Sequence, residues 1–331
     1  MRTRIAAAAA ALPAALLTAL LAAPTPAQAQ PHRAPHHAAD SIRYASVKSC
    51  AGKDGERRPC GHWRLVMHSG KLSVLRDAQV VALDAKGRPA GPAAAPIAVS
   101  GDGQRVAYFT TSGRLAVRTL GGGVVLMAEG ALPRVAQYGV GLRLSGDGAR
   151  LAVMVGAEKP VATRVFDTST GERIGDVPGD ETFAGFSADG DEVLTTADGA
   201  EAVTDLAVYS ERGERLARAT PPQVVASNGP QALAADGHTV ANVIRKTRPE
   251  LVTYDVRSDQ VTARTRVKLP AGDVEMIDWT GDAQVTLHLL RYHGRSTRMT
   301  IVQIDTGTGA VKVRDAYTVL KDTYVFAACG G

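Results

Sequence analysis

The chain has 331 residues, a formal net charge of +5, three cysteines and only 5% aromatic residues. A charge excess of this size does not favour nucleic-acid binding, so we expect no nucleic acid among its partners. With 45% apolar residues, many of them alanine, the composition suits a core of small side chains packed between sheets.

The first 29 residues have the three parts of a secretory signal peptide. Two arginines precede an alanine- and leucine-rich segment that ends at Ala23, and Ala27 and Ala29 form the A-x-A cleavage pattern. Removal of residues 1–29 leaves 36 Lys and Arg against 33 Asp and Glu, a net charge of +3. No later window approaches the ~20 apolar residues that span a bilayer. We therefore predict a secreted or envelope-associated protein with no membrane span.

Residues 30–45 contain prolines and three histidines and predict a disordered linker rather than a metal-binding tract, since a flexible tail preorganises no site. One domain over residues 46–331 is expected to follow. Cys50 and Cys60 bracket a polar loop, and in an oxidising compartment a disulfide between them is the natural pairing. Pairing of Cys329 with one of them is the alternative. The spacing fits no common zinc pattern.

A turn motif recurs five times, each time between two apolar strands. The first copy, residues 100–103, reads Ser-Gly-Asp-Gly, and the aspartates follow one another at steps of 45, 42, 47 and 46 residues. Asp-Gly between apolar runs is a hairpin signal, because Gly accepts positive φ and Asp accepts hydrogen bonds from nearby amides. We interpret these positions as structural rather than catalytic or metal-binding. The turn residues are Asp102, Gly103, Asp147, Gly148, Asp189, Gly190, Asp236, Gly237, Gly281 and Asp282.

A second kind of hairpin, in which a strand ends in a polar turn and the chain then continues, recurs six times. Its strands are Val80–Asp84, Leu115–Leu120, Thr163–Asp167, Leu206–Ser210, Val252–Asp255 and Met299–Asp305. Six copies favour six units over five. Four strands per unit of about 45 residues is typical of a β-propeller blade. We predict an all-β, six-bladed propeller, with seven blades as the alternative.

The apolar strand Thr323–Ala328 belongs to no unit of its own. A closed ring has no exposed sheet edge, so we expect this strand to complete a sheet begun by the other end of the chain. That closure would bring Cys329 near Cys60.

The Ser-x-Asp-Gly turn, followed by strands that end in Asp-x-x-x-Gly at 167–171 and 305–309, resembles the WD40-like repeat of TolB-type periplasmic and secreted propellers. The likeness covers about Gly61 to Ala328. The chain departs from that repeat in lacking its usual turn proline, and Ala234 replaces the serine in one unit. The resemblance implies a fold more than an activity, because such propellers serve as binding platforms, translocation partners and enzyme domains.

Motifs for catalysis are missing from the sequence: it has no G-x-S-x-G elbow, H-E-x-x-H, P-loop or dinucleotide-binding glycine pattern. His288 and His293 are five residues apart, so on a strand they face opposite ways and do not share a metal ion. We expect no catalytic residue, no metal and no cofactor. The alternative is a lactonase- or lyase-like enzyme with its site in the central channel.

The loops between second and third strands form the usual binding face of a propeller. In the fifth and sixth units these loops are rich in cations, which predicts a sector that binds an anionic group of a protein or of an envelope polymer. The alternative is an ordinary solvated loop surface. The candidate residues are Arg245, Lys246, Arg248, Arg291, Tyr292, His293, Arg295 and Arg298. Overall we expect a monomeric, non-catalytic binding module of the cell envelope, with a purely structural role as a further alternative.

Overall fold

A computed structural model describes residues 40–199, 203–294 and 296–330. Six four-stranded antiparallel sheets form the blades of a ring, so the predicted six-bladed propeller is confirmed and the seven-bladed alternative is wrong. The predicted signal peptide and most of the predicted linker lie outside the described residues. The first strand begins at Ile42. The domain start predicted at residue 46 is therefore four residues late, because residues 42–45 already pair in a sheet.

Each blade is described from its innermost strand outwards. Blade 1 contains β26 (Thr323–Ala328), β1 (Ile42–Ala51), β2 (Arg57–Met67) and β3 (Leu72–Leu75); blade 2 contains β6 (Ile97–Val99), β7 (Arg105–Phe109), β8 (Leu115–Thr119) and β9 (Val124–Leu126). Blade 3 contains β10 (Val140–Leu144), β11 (Arg150–Val155), β12 (Thr163–Asp167) and β13 (Arg173–Val177). Blades 2 to 6 thus use four consecutive strands, whereas blade 1 takes its innermost strand from the end of the chain.

The remaining blades follow the same order. Blade 4 contains β14 (Thr182–Phe186), β15 (Glu192–Asp198), β16 (Thr204–Ser210) and β17 (Arg215–Ala219). Blade 5 contains β18 (Gln231–Leu233), β19 (Thr239–Ile244), β20 (Glu250–Asp255) and β21 (Gln260–Arg266); blade 6 contains β22 (Asp273–Gly281), β23 (Gln284–His293), β24 (Ser296–Asp305) and β25 (Val311–Thr318). The helical elements of the described chain are a 3-10 turn, Gln137–Gly139, and one short helix, Gln223–Ala226.

The C-terminal strand closes the ring, as predicted. β26 pairs antiparallel with β1, with Tyr44 opposite Ala328 and Lys48 opposite Thr323. Beyond β26, Cys329 forms a parallel bridge to Val99 of blade 2, as Ser187 of blade 4 does to Leu233 of blade 5. The C-terminal segment therefore occupies the place that the first strand of a blade takes elsewhere in the ring.

The hydrophobic core is divided among the interfaces between blades. Trp63 and Tyr108 are buried between blades 1 and 2, and Leu151 and Phe166 are buried between blades 2 and 3. Six separate apolar clusters occupy the six interfaces of the ring. Because the inner part of each sheet is covered on both faces, strands such as β19 and β20 are buried at successive positions, whereas outermost strands such as β17 and β21 are largely exposed.

The predicted turns are held by a reciprocal pair of side chains. In blade 3, Ser145 Oγ donates to Asp147 Oδ1 at 2.7 Å and accepts from the Arg150 amide at 3.0 Å, while Asp147 accepts from the amide of Ala149. Blades 2 and 4 repeat this arrangement. In blade 5, where Ala234 replaces the serine, the aspartate instead accepts from the Thr239 hydroxyl. The aspartates of blades 2 to 5 thus accept hydrogen bonds within their own turns, as the turn interpretation expects.

Glycine at the fourth turn position is needed for conformation and for packing. Gly148 has φ +73°, and a Cβ there would lie 2.9 Å from Arg105 Cδ of the preceding blade. Gly103 has φ +68°, and a Cβ there would lie 2.5 Å from the Ile42 carbonyl oxygen. Each turn therefore packs on the neighbouring blade, which explains why the motif repeats with the blades.

Substitution of Ser145 by Ala should lower the free energy of unfolding by about 1–2 kcal/mol, because the Arg150 amide loses its acceptor and Asp147 loses a donor. Urea unfolding followed by circular dichroism measures the change. Ser112→Ala is the matched control, since Ser112 bonds only another exposed hydroxyl, that of Thr110. Equal stabilities of the two variants would contradict the role given to the turn.

One of the six hairpins of the second kind was wrongly assigned to a blade. The segment Val80–Asp84 contains β4 (Val81–Leu83), which pairs with β5 (Pro89–Ala94) in a separate two-stranded sheet. The hairpin that blade 1 actually uses joins β2 to β3 and turns at Gly70, which has φ +84°. The predicted number of blades was still right, because the wrongly assigned β4–β5 hairpin took the place of the β2–β3 hairpin that had been missed.

Candidate functional site

The ring has two faces. The loop face carries the connections between second and third strands, and the turn face carries the Ser-x-Asp-Gly turns. Between them runs a central channel lined by the innermost strands, and a cavity opens at each end of it. Arg143, Met276 and His288 line both cavities, so they mark the level where the two meet.

The predicted cations lie in adjacent loops of the loop face. Arg245, Lys246 and Arg248 follow β19 in blade 5, while Arg291, Tyr292 and His293 end β23 and Arg298 lies on β24 in blade 6. All seven are exposed. Arg295 lies outside the described residues.

Contacts separate these cations into two groups. Arg245 donates to the Asp273 carboxylate at 2.7 Å and to the Gly272 carbonyl at 2.9 Å. Over residues 40–199, 203–294 and 296–330, no salt bridge involves Lys246, Arg248, Arg291 or Arg298. No carboxylate of the described residues thus lies within 4.0 Å of the second group to offset its charge.

Arg291 and Arg298 are direct cross-strand neighbours, and Tyr292 beside them is 70% exposed. Like charges directly opposite each other destabilise a pair of strands. An anion bound between the two guanidinium groups would relieve this repulsion. We therefore expect the hairpin to be more stable with an anion bound than without one.

A further loop of this face was missed in the sequence. The β1–β2 hairpin is the connection between the second and third strands of blade 1, and the Cys50–Cys60 disulfide joins its two strands. It carries exposed Lys53 and Arg57, while Arg58 is paired with Asp54 at 2.7 Å. This hairpin is recognised as a loop of the loop face only when β26 is counted as the first strand of blade 1, which makes β1 and β2 the second and third strands.

Together these loops form what we call the basic arc, the exposed cations on the loop face of blades 5, 6 and 1. Its members are Arg245, Lys246, Arg248, Arg291, Arg298, Lys53 and Arg57. Asp54, Glu56 and Asp273 lie among them and offset part of the charge. The arc borders the channel on one side.

The channel mouth at the loop face widens into a cavity of about 600 Å³, which we call the mouth pocket. Apolar side chains, including Leu142, Leu290, Met299 and Phe326, form about half of its wall, with Tyr292 of the basic arc hairpin at one side. Polar and charged groups such as Glu275 and Lys321 form the rest. A pocket of this size and composition is typical of a ligand or side-chain binding site.

At the other end of the channel, three turn aspartates come together. Asp102, Asp147 and Asp189 line the cavity at the turn face, although each belongs to a different blade. Their carboxylates accept hydrogen bonds from the serines of their own turns. In the part of the chain that the structure describes, no group of three or more His, Cys, Asp or Glu residues is placed to hold a metal ion.

Arg143 crosses the channel between the two cavities. Its Nη1 donates to Met276 Sδ of blade 6 at 3.0 Å and to the Gly330 carbonyl at 3.0 Å. Because Arg143 lies on β10 of blade 3, directly across the ring from blade 6, one side chain bridges the lumen. This crossing separates the mouth pocket from the cavity below it.

The lower cavity, of about 370 Å³, extends outwards between blades 6 and 1, and we call it the seam pocket. Blade 6 turns an unusually polar face to this interface: Asp278 on β22, Thr286 and His288 on β23, and Arg314 on β25 line the pocket. Its opposite face, with Val285, Leu287 and Leu289, is apolar and packs on blade 5. Cys329 of the C-terminal segment also lines the pocket.

Burial changes the acid-base properties of these groups. Burial raises the pKa of Asp278 to about 6, and the nearby Arg143 charge only partly opposes this. Burial likewise raises the pKa of the Cys329 thiol to about 12, against the opposing effect of the Arg314 charge, so the thiol is protonated and unreactive at neutral pH. Burial lowers the pKa of Arg314, but an arginine stays charged in proteins.

Other sequence-based expectations have clear outcomes. Cys50 and Cys60 form the predicted disulfide, with Cα atoms 5.9 Å apart, and Cys329 is a buried thiol, so the alternative pairing is wrong. β26 places Cys329 at the turn-face end of its strand, whereas the disulfide lies at the loop face. His288 and His293 are not brought together: His288 is buried opposite Met276, and His293 is exposed at the hairpin end.

Comparison with known proteins identifies similar folds. No family model and no curated protein matches the chain. Solved structures similar to it include TolB from Acinetobacter baumannii, with 17% identity, a TM-score of 0.46 and coverage of 88% of this chain and 67% of that one. A TolB candidate from Agrobacterium tumefaciens has 14% identity, a TM-score of 0.44 and coverage of 83% and 90%.

Hydrazine synthase from Kuenenia stuttgartiensis is also similar, with 17% identity, a TM-score of 0.39 and coverage of 66% of this chain and 64% of that one. TolB proteins are thus among the structural neighbours, as the turn motif suggested. The fold assignment rests on the sheet topology described above. Among the described residues, no helix has the length and apolarity needed to cross a membrane.

Proposed function

We propose that the protein is an exported, non-catalytic propeller that binds a protein partner through its loop face. The basic arc would contact acidic residues of the partner, and the mouth pocket would take an apolar side chain beside them. The Cys50–Cys60 disulfide supports an oxidising compartment outside the cytosol, where such bonds persist.

The observation that carries the proposal is the pairing of Arg291 with Arg298 next to exposed Tyr292 at the edge of the mouth pocket. Exposed Tyr and Arg are the residues most enriched at protein interfaces. A polymer that carried only charge would use the basic arc and leave the mouth pocket unfilled. The pocket therefore favours a protein over an anionic envelope polymer.

The test compares two triple variants as baits for envelope proteins. The arc variant combines Arg248→Ser, Arg291→Ser and Arg298→Ser. The control variant combines Arg212→Ser, Arg257→Ser and Lys312→Ser, which removes the same charge from exposed positions at or near the turn face. We expect the control to retain the partners of the unmodified protein and the arc variant to lose them, with binding that weakens as salt rises.

Quantitative mass spectrometry of the captured proteins provides the measurement, and retention on an anionic matrix gives a second readout of the charge. Capture of the same proteins by both variants would refute the loop-face assignment. Retention that depends on the arc, without any arc-dependent protein, would favour the polymer instead.

A further inference from the structure

The seam pocket has properties that the proposed function does not use. It lies below the Arg143 crossing, on the side of the channel away from the basic arc. Its volume of about 370 Å³ lies within the range of small-molecule sites, which is roughly 300–1,000 Å³. Trp279, Phe186 and Ile277 give it apolar walls. It is therefore large enough for a small organic molecule.

The lining of the seam pocket contains four aspartates and two arginines, but Asp102, Asp147 and Asp189 lie at the turn-face opening. The charge at the inner end of the pocket, around Arg143, favours an anion. Three other partly buried arginines are each held by carboxylates: Arg118 by Asp77 at 2.8 Å, Arg150 by Glu211 and Asp167, and Arg218 by Asp205 at 2.9 Å. Arg143 is not held in this way, because its hydrogen-bond acceptors are a thioether and a carbonyl. Arg105 and Arg164 also bond only neutral acceptors, but neither of them lines the seam pocket.

Within the described chain, no carboxylate lies within 4.0 Å of the Arg143 guanidinium group. Arg314 adds a second positive charge to the same cavity. A charge that is partly removed from water favours a paired, hydrogen-bonded state. An anionic ligand would provide this pairing for Arg143.

The neutral form of Asp278 suits an anionic ligand. Its carboxyl group lines the pocket, Oδ2 lies against Gly330, and no described residue gives it a hydrogen bond. A protonated carboxyl group is a hydrogen-bond donor, so it would bond a ligand carboxylate, whereas the ionised form would repel it. Burial raises the pKa of Asp278 to about 6, so the neutral, donating form predominates below about pH 6 and the ionised form above it.

We propose that the seam pocket binds a small organic carboxylate, with its carboxylate group on Arg143 and its apolar part against the walls around Trp279. Arg314 is the second cation of the site. Charge-assisted bonds between guanidinium and carboxylate groups are among the strongest hydrogen bonds in proteins. The apolar walls select an organic anion over an inorganic one.

Calorimetric titration of the whole mature protein with benzoate, at constant ionic strength, tests the proposal. Benzyl alcohol is the neutral ligand control and inorganic phosphate the inorganic one. We expect benzoate to bind, and both controls to bind at least about tenfold more weakly. Failure of benzoate to bind at about 10 mM, or equal binding of benzyl alcohol, overturns the proposal.

Two protein variants assign the residue. Arg143→Met keeps the length of the side chain and should weaken benzoate binding about tenfold or more. Arg257→Met, at an exposed position of the turn face that does not line the pocket, is the matched control and should bind as the unmodified protein does. Arg314→Met tests the second cation of the site. It allows the proposal to be judged even if Arg143→Met does not fold. Unchanged affinity in the folded Arg143 and Arg314 variants overturns the proposal.

A pH series gives a third readout. Affinity should fall between about pH 5 and about pH 7.5 in the unmodified protein, and this fall should vanish in Asp278→Asn, whose amide always donates. The other charged or titratable groups that face Asp278 are Arg143 from β10, His288 from β23, Arg314 from β25 and Cys329. Asp102, Asp147 and Asp189 lie at the turn-face opening. An identical fall in the Asp278 variant contradicts its role.

Discussion

A protein that ends at Leu320 is expected to lose most of its cooperative thermal unfolding transition, or to melt lower by about 10 °C or more. The deletion removes β26, which pairs with β1 from Tyr44 to Lys48 and forms the inner wall of blade 1. It also removes Ala328 and Cys329 from buried positions between blades. Circular dichroism melts of the full and shortened proteins measure the effect.

A synthetic peptide of residues 321–331, added in excess, should restore the transition, because the missing strand would pair with the exposed edge of β1. The control peptide carries Phe326→Asp and Ala328→Asp, which place charges in the apolar cluster between blades 6 and 1. If the shortened protein melts like the full one, or if both peptides restore it equally, ring closure by β26 does not stabilise the fold.

Replacement of Asp278 by Asn should stabilise the protein at neutral pH by up to about 3 kcal/mol. Burial raises the pKa of Asp278 from 3.8 to about 6. A folded-state pKa above the unfolded value means that the folded state binds the proton more tightly, so stability falls as pH rises from about 4 to about 6. Above that pH range the buried carboxylate is ionised, and this lowers the free energy of unfolding by the full amount. The asparagine has no charge and avoids it.

The measurement is the free energy of unfolding of both proteins at several pH values between about 4 and 7.5. The difference between them should be small at the lowest pH and grow to its maximum above about pH 6. Asp315→Asn is a control of opposite sign at the same seam, because Asp315 pairs with Arg43 at 3.0 Å and its loss leaves that cation without its partner. A pH-independent difference for Asp278→Asn would contradict the prediction.

The fold could be predicted because its signals are local. Each turn of the Asp147 type fixes a hairpin through contacts within six residues, and the repeat of such turns gives the number of blades. The same locality produced the one misassigned hairpin. Gly87 has φ +78° in the turn of the β4–β5 hairpin, as Gly70 has +84° in the turn of blade 1, so a local turn of this kind does not show to which sheet a hairpin belongs.

The seam pocket could not be predicted, because Arg143, Asp278, Arg314 and Cys329 come from three blades that meet only once the ring is closed. A weaker signal was present within β23. Gln284, Thr286 and His288 alternate with Val285, Leu287 and Leu289, which marks one polar face on a strand that is buried on both sides. Alternation inside a buried strand indicates a polar interface, but not which partner covers it.

Pairing of the first and last strands also fixes when folding can finish. Tyr44 and Ala328, which face each other in blade 1, are separated by nearly the whole chain, and such long-range contacts form slowly. During synthesis β26, which completes blade 1, leaves the ribosome only after all the strands of blades 2 to 6. Until then the edge of β1 is open to other chains. A nascent molecule therefore keeps an aggregation-prone edge until β26 has emerged and paired with β1.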